Sequence, residues 1–331
     1  MTKRVVSGMQ PSGPLHLGNL LGALDNFKRL QADHECFYFV ADWHALSTNY
    51  EDTSRIREYT REVLIDWLAS GLDPQRSTLF IQSRVPEHAV LYLLLSMITP
   101  VPWLERNPTY KEKQENIEGR DLSSYGFLGY PVLQAADILL YKGDLVPVGV
   151  DQLPHLELTR EITRRFNQLY KPVFSEPQAQ LTEFPKVPGT DGRKMSKSYN
   201  NTINLSDSEA TIRAKLKTMV TDPARVRRTD KGNPDVCPVF TLHKSTISTQ
   251  AVIDRVNKEC RTAEIGCIDC KGLLADGIVR RLTPIWEKRR ELVQKPNVVD
   301  EIIDAGTTKA HAIASKTLAE VNETMKIGQA G

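Results

Sequence analysis

Val5-Val6-Ser7-Gly8-Met9-Gln10-Pro11-Ser12-Gly13-Pro14-Leu15-His16-Leu17-Gly18-Asn19-Leu20-Leu21 is the stretch on which the fold turns. The apolar pair Val5-Val6 reads as a short buried strand. A loop of Gly, Pro and Ser follows, and from Asn19 to Gln31 the residues Leu20, Leu21, Leu24, Phe27 and Leu30 recur at helical spacing. Strand, loop, helix is the opening unit of a parallel α/β sheet. Ligands of such sheets bind beyond the carboxyl ends of the strands, beside helix N-termini. There the unpaired N–H groups and the positive end of the helix dipole suit phosphate. The glycines let a nucleotide approach the backbone, and His16 can donate to a phosphate oxygen.

The pattern repeats downstream. Cys36 to Ala41 is a continuous apolar and aromatic run, as expected of an inner parallel strand. Ser54 is placed to cap a helix through Ala69, Thr78 to Ile81 reads as a strand, and His88 to Met97 as a helix. The predicted fold class is α/β, with a Rossmann-like, doubly wound parallel sheet over residues 1–200. From residue 201 to 331 helical patterns dominate: Asp207–Met219, Gln250–Cys260, Gly272–Val293 and Val298–Met325. This predicts an all-α second domain whose last helix packs back on the first.

Composition narrows the class without deciding it. Of 331 residues, 40% are hydrophobic and 25% charged, the balance of an ordinary folded protein with a formal net charge of +2. Basic residues cluster at Arg225, Arg227, Arg228 and Lys231, and again at Lys288, Arg289 and Arg290, as either solvated faces or nucleic-acid contacts. The apolar stretches, such as Val90 to Ile98, are too short to span a bilayer, and no signal-like segment follows Met1. A cytoplasmic protein with reduced or metal-bound cysteines is the expectation, with no membrane partner.

A second element is Lys194-Met195-Ser196-Lys197-Ser198, preceded by Gly189, Gly192 and Arg193. Two lysines on a glycine-flanked loop can clamp the charge that develops on a leaving pyrophosphate. The simpler reading of either element alone is structural. Together, the first resembles the HIGH-type signature of class I aminoacyl-tRNA synthetases, with Asn19 at the place of its last His, and the second matches that class's KMSKS signature. The resemblance implies ATP with Mg2+ as substrate, an amino-acid carboxylate attacking the α-phosphate, and no nucleophilic side chain. His16, Lys194, Ser196 and Lys197 would act in that step. Gln10, Pro11, Ser12, Gly18, Asn19, Met195 and Ser198 would belong to the ATP site.

Within the class, Ser7–Gly13, Ala41-Asp-Trp-His-Ala45, Tyr130–Leu139, Pro147–Gln152 and His155–Arg160 resemble the tryptophanyl-tRNA synthetase family over nearly the whole chain. That resemblance implies L-tryptophan and tRNA(Trp) as partners, an anticodon-binding helical domain and a homodimer. Asp137 would accept the indole N–H. Tyr130 and Gln152 would hold the amino group and His44 would line the pocket. Gly149, Val150 and Asp151 would contact the adenosine. Indole has one donor and no acceptor, so an apolar pocket with one oriented acceptor suits it. Many relatives carry Met where this chain has Gln134, and archaeal-type tyrosyl-tRNA synthetases use Gln and Asp in this region. Those enzymes also place a Tyr where this chain has Val6, which cannot hydrogen-bond a phenol. Tryptophan is therefore favoured over tyrosine. An adenylating paralogue that charges no tRNA and a non-catalytic RNA-binding protein are the competing classes.

Cys237, Cys260, Cys267 and Cys270 form a Cys-x22-Cys-x6-Cys-x2-Cys pattern, and Cys36 stands apart in a strand. Four thiolates can hold zinc or an iron–sulfur cluster, and spacing does not separate the two. A subset of bacterial tryptophanyl-tRNA synthetases with this pattern is associated with a 4Fe-4S cluster. The resemblance thus implies 4Fe-4S, with Zn2+ as the alternative.

Overall fold

Strand β1 (Arg4–Met9) forms at the centre of the sheet in the computed structural model, which describes residues 2–107, 123–181 and 186–328. Helix α1 begins as Leu17–Asn19, widens into a π turn over Leu20–Leu24 and resumes as Asp25–Leu30. Then come β2 (Glu35–Val40), α2 (Asp42–Asn49), α3 (Ile56–Ala69) and β3 (Ser77–Ile81). Ser54 does not cap α3. Its hydroxyl bonds Asp52 at 2.6 Å, and the helix opens one residue later behind Arg55. The second half holds α4 (Glu87–Ser96), a short α5 (Val101–Glu105), α6 (Tyr125–Leu140), β4 (Leu145–Val148), α7 (Leu153–Leu169) and β5 (Gln178–Leu181). Every pairing is parallel and the order is β3-β2-β1-β4-β5, the doubly wound arrangement.

Alternation along the strands separates two cores, because successive side chains point to opposite faces. Val5, Cys36, Tyr38 and Leu79 pack with Phe27, Trp67 and Leu282 on one face. Val6, Phe37, Phe39 and Phe80 pack with Leu91, Leu139 and Phe166 on the other. Phe27 stacks on Tyr38 with ring centroids 4.2 Å apart, and the Tyr38 hydroxyl donates to the Phe27 carbonyl. Helices follow the sheet: α8 (Glu209–Thr218), α9 (Pro238–Leu242), α10 (Gln250–Arg261), α11 (Cys267–Gln294) and α12 (Pro296–Met325). They share the first core with the sheet, for Ile212, Leu274, Leu282 and Ile303 belong to the same cluster as Val5.

The two basic runs are not simple solvated faces. Arg289 on α11 turns inward and pairs with Asp66 and Glu62 of α3. Burial raises the Asp66 carboxyl to about 6 and the Arg289 charge opposes that rise. Arg225 is buried and donates to the Ile265 and Arg228 carbonyls, while Arg228 donates to those of Ala263 and Glu264. Arg227 remains exposed. A charge run in sequence does not reveal which cation will find carbonyl or carboxylate partners at long range.

Helix α12 crosses the β3 edge. Val299 and Ile303 enter one core, and Ala310, Ala314 and Val321 the other. The crossing is close enough that a Cβ at Gly306 would lie 1.9 Å from the Leu79 carbonyl oxygen, a backbone atom that cannot move alone. G306V should therefore lower unfolding free energy by ~3 kcal/mol or more. An unchanged urea midpoint would mean that α12 does not seat on β3 in this way.

Candidate functional site

The strand order reverses between β1 and β4, since β1's helix runs toward one side and β4's toward the other. A crevice opens at their carboxyl ends, and there lies a cavity of about 490 Å³. Its walls come from the end of β1 (Val6 to Gln10), the start of α1 (Gly18, Asn19), His44 on α2, α6 (Tyr130, Gln134, Asp137) and the turn after β4 (Gly149, Asp151, Gln152), with Lys194 above. Residues far apart in sequence thus share one cleft.

At the inner end sits Asp137, only 1% exposed. His44 Nε2 contacts its Oδ2 at 2.7 Å; Gln82 Nε2 and His88 Nδ1 both contact Oδ1 at 2.7 Å. Burial pushes this carboxyl up, but the His44 and His88 contacts outweigh it and hold the group at about 2, so it is anionic. A carboxylate offers roughly four lone-pair positions. Three are filled, which leaves one on Oδ2, in a cavity that the apolar Val6, Phe39 and Ile138 line together with the polar Gln134. An apolar slot with one open acceptor is the arrangement that suits a flat donor such as indole. The sequence pointed to Asp137 and His44 but not to Gln82, His88 or their neighbour Tyr141.

Beside it, the Tyr130 hydroxyl meets His155 Nε2 at 2.7 Å, and His155 Nδ1 meets Gln152 Oε1 at 3.0 Å. Tyr130 and Gln152 are therefore linked through a fully buried histidine. His155 lay within a recognised run, yet nothing local marked it as the bridge.

At the outer end the Asn19 side-chain oxygen accepts from the His16 backbone N–H at 3.1 Å, fixing the start of α1. Lys194 Nζ lies 3.5 Å from Asp151 Oδ2, both exposed, so the pair is weak and free to re-form around a ligand. Gly13 adopts φ +130°, which only glycine takes without strain, and its carbonyl accepts from Lys197 Nζ at 2.7 Å. Ser12 Oγ lies 3.3 Å from the same ammonium. The two signature loops are thus tied together directly. Burial lowers Lys197 to about 8, against the pull of Asp66. Pro11 and Ser12 face an adjoining polar pocket rather than the main cavity. Met195 is buried in the core, the Ser196 and Ser198 hydroxyls bond each other at 2.8 Å, and Val150 is exposed outside the cavity.

The four cysteines converge at the junction of α9, α10 and α11. Burial, then the proximity of Cys237, Cys260 and Cys267, pushes the Cys270 thiol up to about 12. Arg225 Nη1 lies 3.6 Å from Cys260 Sγ. The thiols are close enough to feel one another's charge. Among the described residues, however, no group of three or more His, Cys, Asp or Glu side chains is arranged to hold a metal ion. Among those residues also, no helix is long and apolar enough to cross a membrane.

His16 yields a pH prediction. Burial, then the nearby Lys197 charge, holds it at about 4, and its Nδ1 is buried without a partner. Unfolded, it titrates near pH 6.5. Between these values the unfolded chain takes up a proton that the folded chain refuses, so stability falls as pH drops from about 6.5 toward 4. His243, lowered to about 4 by burial, acts in the same sense. In H16N one of the two groups is gone, and the loss of urea midpoint between neutral pH and about pH 5 should shrink. An undiminished loss would contradict a neutral, buried His16.

Comparison with known proteins extends the geometry. A family model described as "tRNA synthetases class I (W and Y)" matches residues 2–283. The chain is 54% identical to a tryptophan–tRNA ligase of Thermotoga maritima, over 98% of this chain and 99% of that protein. It is 44% identical to one of Aquifex aeolicus, covering 98% and 100%. The crystal structure of tryptophanyl-tRNA synthetase from Campylobacter jejuni complexed with ADP and tryptophan superposes with a TM-score of 0.87. It is 35% identical and covers 98% of this chain and 100% of that one. Agreement along nearly the full length means that the chain belongs to the class I tRNA synthetases of the W and Y group, within their tryptophan–tRNA ligase family.

Proposed function

We propose that the chain is a tryptophan–tRNA ligase. It joins L-tryptophan to ATP, taken with Mg2+, and passes the amino acid to the 3′ end of tRNA(Trp). The observation that carries this reading is the single open acceptor on Asp137, inside an apolar slot that continues into the nucleotide loops. In the first step a tryptophan carboxylate oxygen bonds to the α-phosphorus and the bond to the β-phosphate bridging oxygen breaks, releasing pyrophosphate. In the second, a terminal ribose hydroxyl of tRNA attacks the activated carbonyl and AMP leaves with the bonding pair.

The roles follow from placement. Asp137 selects the indole, and Val6 offers no partner to a tyrosine phenol. Gln134 lies one helical turn before Asp137 and lines the same wall. Tyr130 and Gln152, oriented through His155, hold the amino group. His16 and Asn19 meet the phosphates from the helix start, with Gln10, Pro11, Ser12 and Gly18 shaping that end. Gly149, Val150 and Asp151 take the adenosine. Lys194 and Lys197, carried by Met195, Ser196 and Ser198, leave their resting partners to meet the charge growing on pyrophosphate.

Residues 1–200 serve as the catalytic domain and 201–331 as the helical part that reads the tRNA anticodon, with exposed Arg227 toward the nucleic acid. Val90, Leu93, Met97 and Val101 form an exposed apolar stripe along α4 and α5, with Met97 70% exposed. That stripe supports a homodimer. The convergence of Cys237, Cys260, Cys267 and Cys270, near enough for their charges to interact, is what supports a 4Fe-4S cluster there. Among the described residues their side chains are not arranged around a metal, and they would have to lose protons and close up on binding one. Zn2+ is the alternative occupant, and the role in either case is structural.

ATP–pyrophosphate exchange, followed by tRNA charging, tests the main reading. Tryptophan should support both. Exchange with tyrosine alone would reverse the substrate assignment, and exchange without charging would leave an adenylating paralogue. K197A should lower the exchange rate about 10²–10³-fold with little change in KM for tryptophan. Equal damage to both would make the loop merely structural. An anaerobic preparation should be brown, absorb near 400 nm (roughly, as thiolate-bound clusters do) and scatter light as a dimer. Stoichiometric zinc without iron, or a particle of monomer mass, would overturn the corresponding assignment.

A further inference from the structure

We infer that His88, held by Tyr141, is a positioning residue that sets tryptophan specificity by fixing which lone pair Asp137 leaves open. This rests on the tryptophan reading above and assigns the control of that same pocket.

His88 has no exposed surface and does not line the cavity. Its Nδ1 lies 2.7 Å from Asp137 Oδ1 and its Nε2 lies 2.8 Å from the Tyr141 hydroxyl. Burial, with the charges of Asp137 and Glu87 adding to it, pushes the Tyr141 phenol well above its ordinary value, so the hydroxyl keeps its proton and can donate. An anionic carboxylate can only accept, and a neutral imidazole carries one donor and one acceptor. The network therefore assigns the proton to Nδ1. Tyr141 O–H donates to His88 Nε2, and His88 Nδ1–H donates to Asp137 Oδ1. Gln82 donates to the same oxygen and completes it. The imidazole cannot swing away, because Phe39 and Phe80 pack beside it with centroids 5.6 and 6.0 Å distant.

The consequence is chemical. With Oδ1 saturated, the carboxylate plane is fixed and the free position lies on Oδ2, the oxygen that His44 touches from the cavity wall. Removing the His88 donor opens a second acceptor on Oδ1 and lets the plane rotate. The pocket then holds an acceptor that no longer matches one ligand N–H, and the penalty for a ligand lacking that N–H shrinks.

The test compares L-tryptophan with β-(3-benzothienyl)alanine, in which sulfur replaces the indole N–H at nearly constant shape. Amino-acid-dependent ATP–pyrophosphate exchange gives the ratio of kcat/KM for the two. Wild-type enzyme should prefer tryptophan strongly. H88L should lower that ratio roughly 10- to 100-fold through the KM for tryptophan, with the KM for ATP unchanged. H88N, whose amide can donate from the Nδ1 position, should restore most of it. Y141F keeps the shape of the core and removes only the hydroxyl, so it should lower the ratio by a smaller factor without needing H88L to fold. A wild-type ratio in folded H88L or in Y141F would overturn the inference. So would a drop in H88L that H88N fails to restore, since packing alone would then explain it. A wild-type enzyme that activates no tryptophan would overturn the substrate reading itself, and this inference with it.

Discussion

A buried carboxylate is the costliest group in this pocket, and much of the catalytic half is arranged around keeping it charged. Moving an unpaired carboxylate out of water is so unfavourable that the group would normally take a proton instead. Asp137 escapes this because three donors converge on it from the start of α2, the end of β3 and the start of α4. Those three segments can meet only where parallel strands deliver their carboxyl ends to one edge. The sheet order and the pocket are thus one constraint seen at two scales.

Much of the fold was legible because its signals are local. The apolar run at Cys36–Ala41 became an inner strand, the stripes of α3 and α12 became helices packed on the sheet, and that of α11 became a helix packed on α3. Expected boundaries shifted by a few residues at helix ends, where capping decides, as at Ser54. The π turn at Leu20–Leu24 left no mark, because its periodicity differs from an α-helix only over one turn. Strand β5 was also missed, for its four residues neither alternate nor bury fully.

The site was legible where a contiguous motif carries the chemistry and illegible where long-range contacts do. The two signature loops announced themselves as Gly/Pro/Ser and Lys/Ser runs. Gln82, His88 and Tyr141 stand in ordinary strand and helix contexts, 55, 49 and 4 residues from Asp137, the first two reaching it only after folding. Arg225 and Arg289 carry the same lesson in reverse. Each reads as a surface cation, and each turns inward because carbonyls or carboxylates from another element await it. The cysteine pattern sits between these cases: spacing named the four residues, and folding brought their charges within reach of one another.

The substrate reading depends most on one contact, the indole N–H of tryptophan donated to the ionised Asp137 in a dry slot. NMR of the bound amino acid, labelled with 15N at the indole nitrogen, observes that proton directly. The expected result is an N–H resonance shifted downfield of free tryptophan and slow to exchange with water, with both effects lost in D137N. An indole proton that keeps its free shift and exchanges rapidly in the bound state would contradict it.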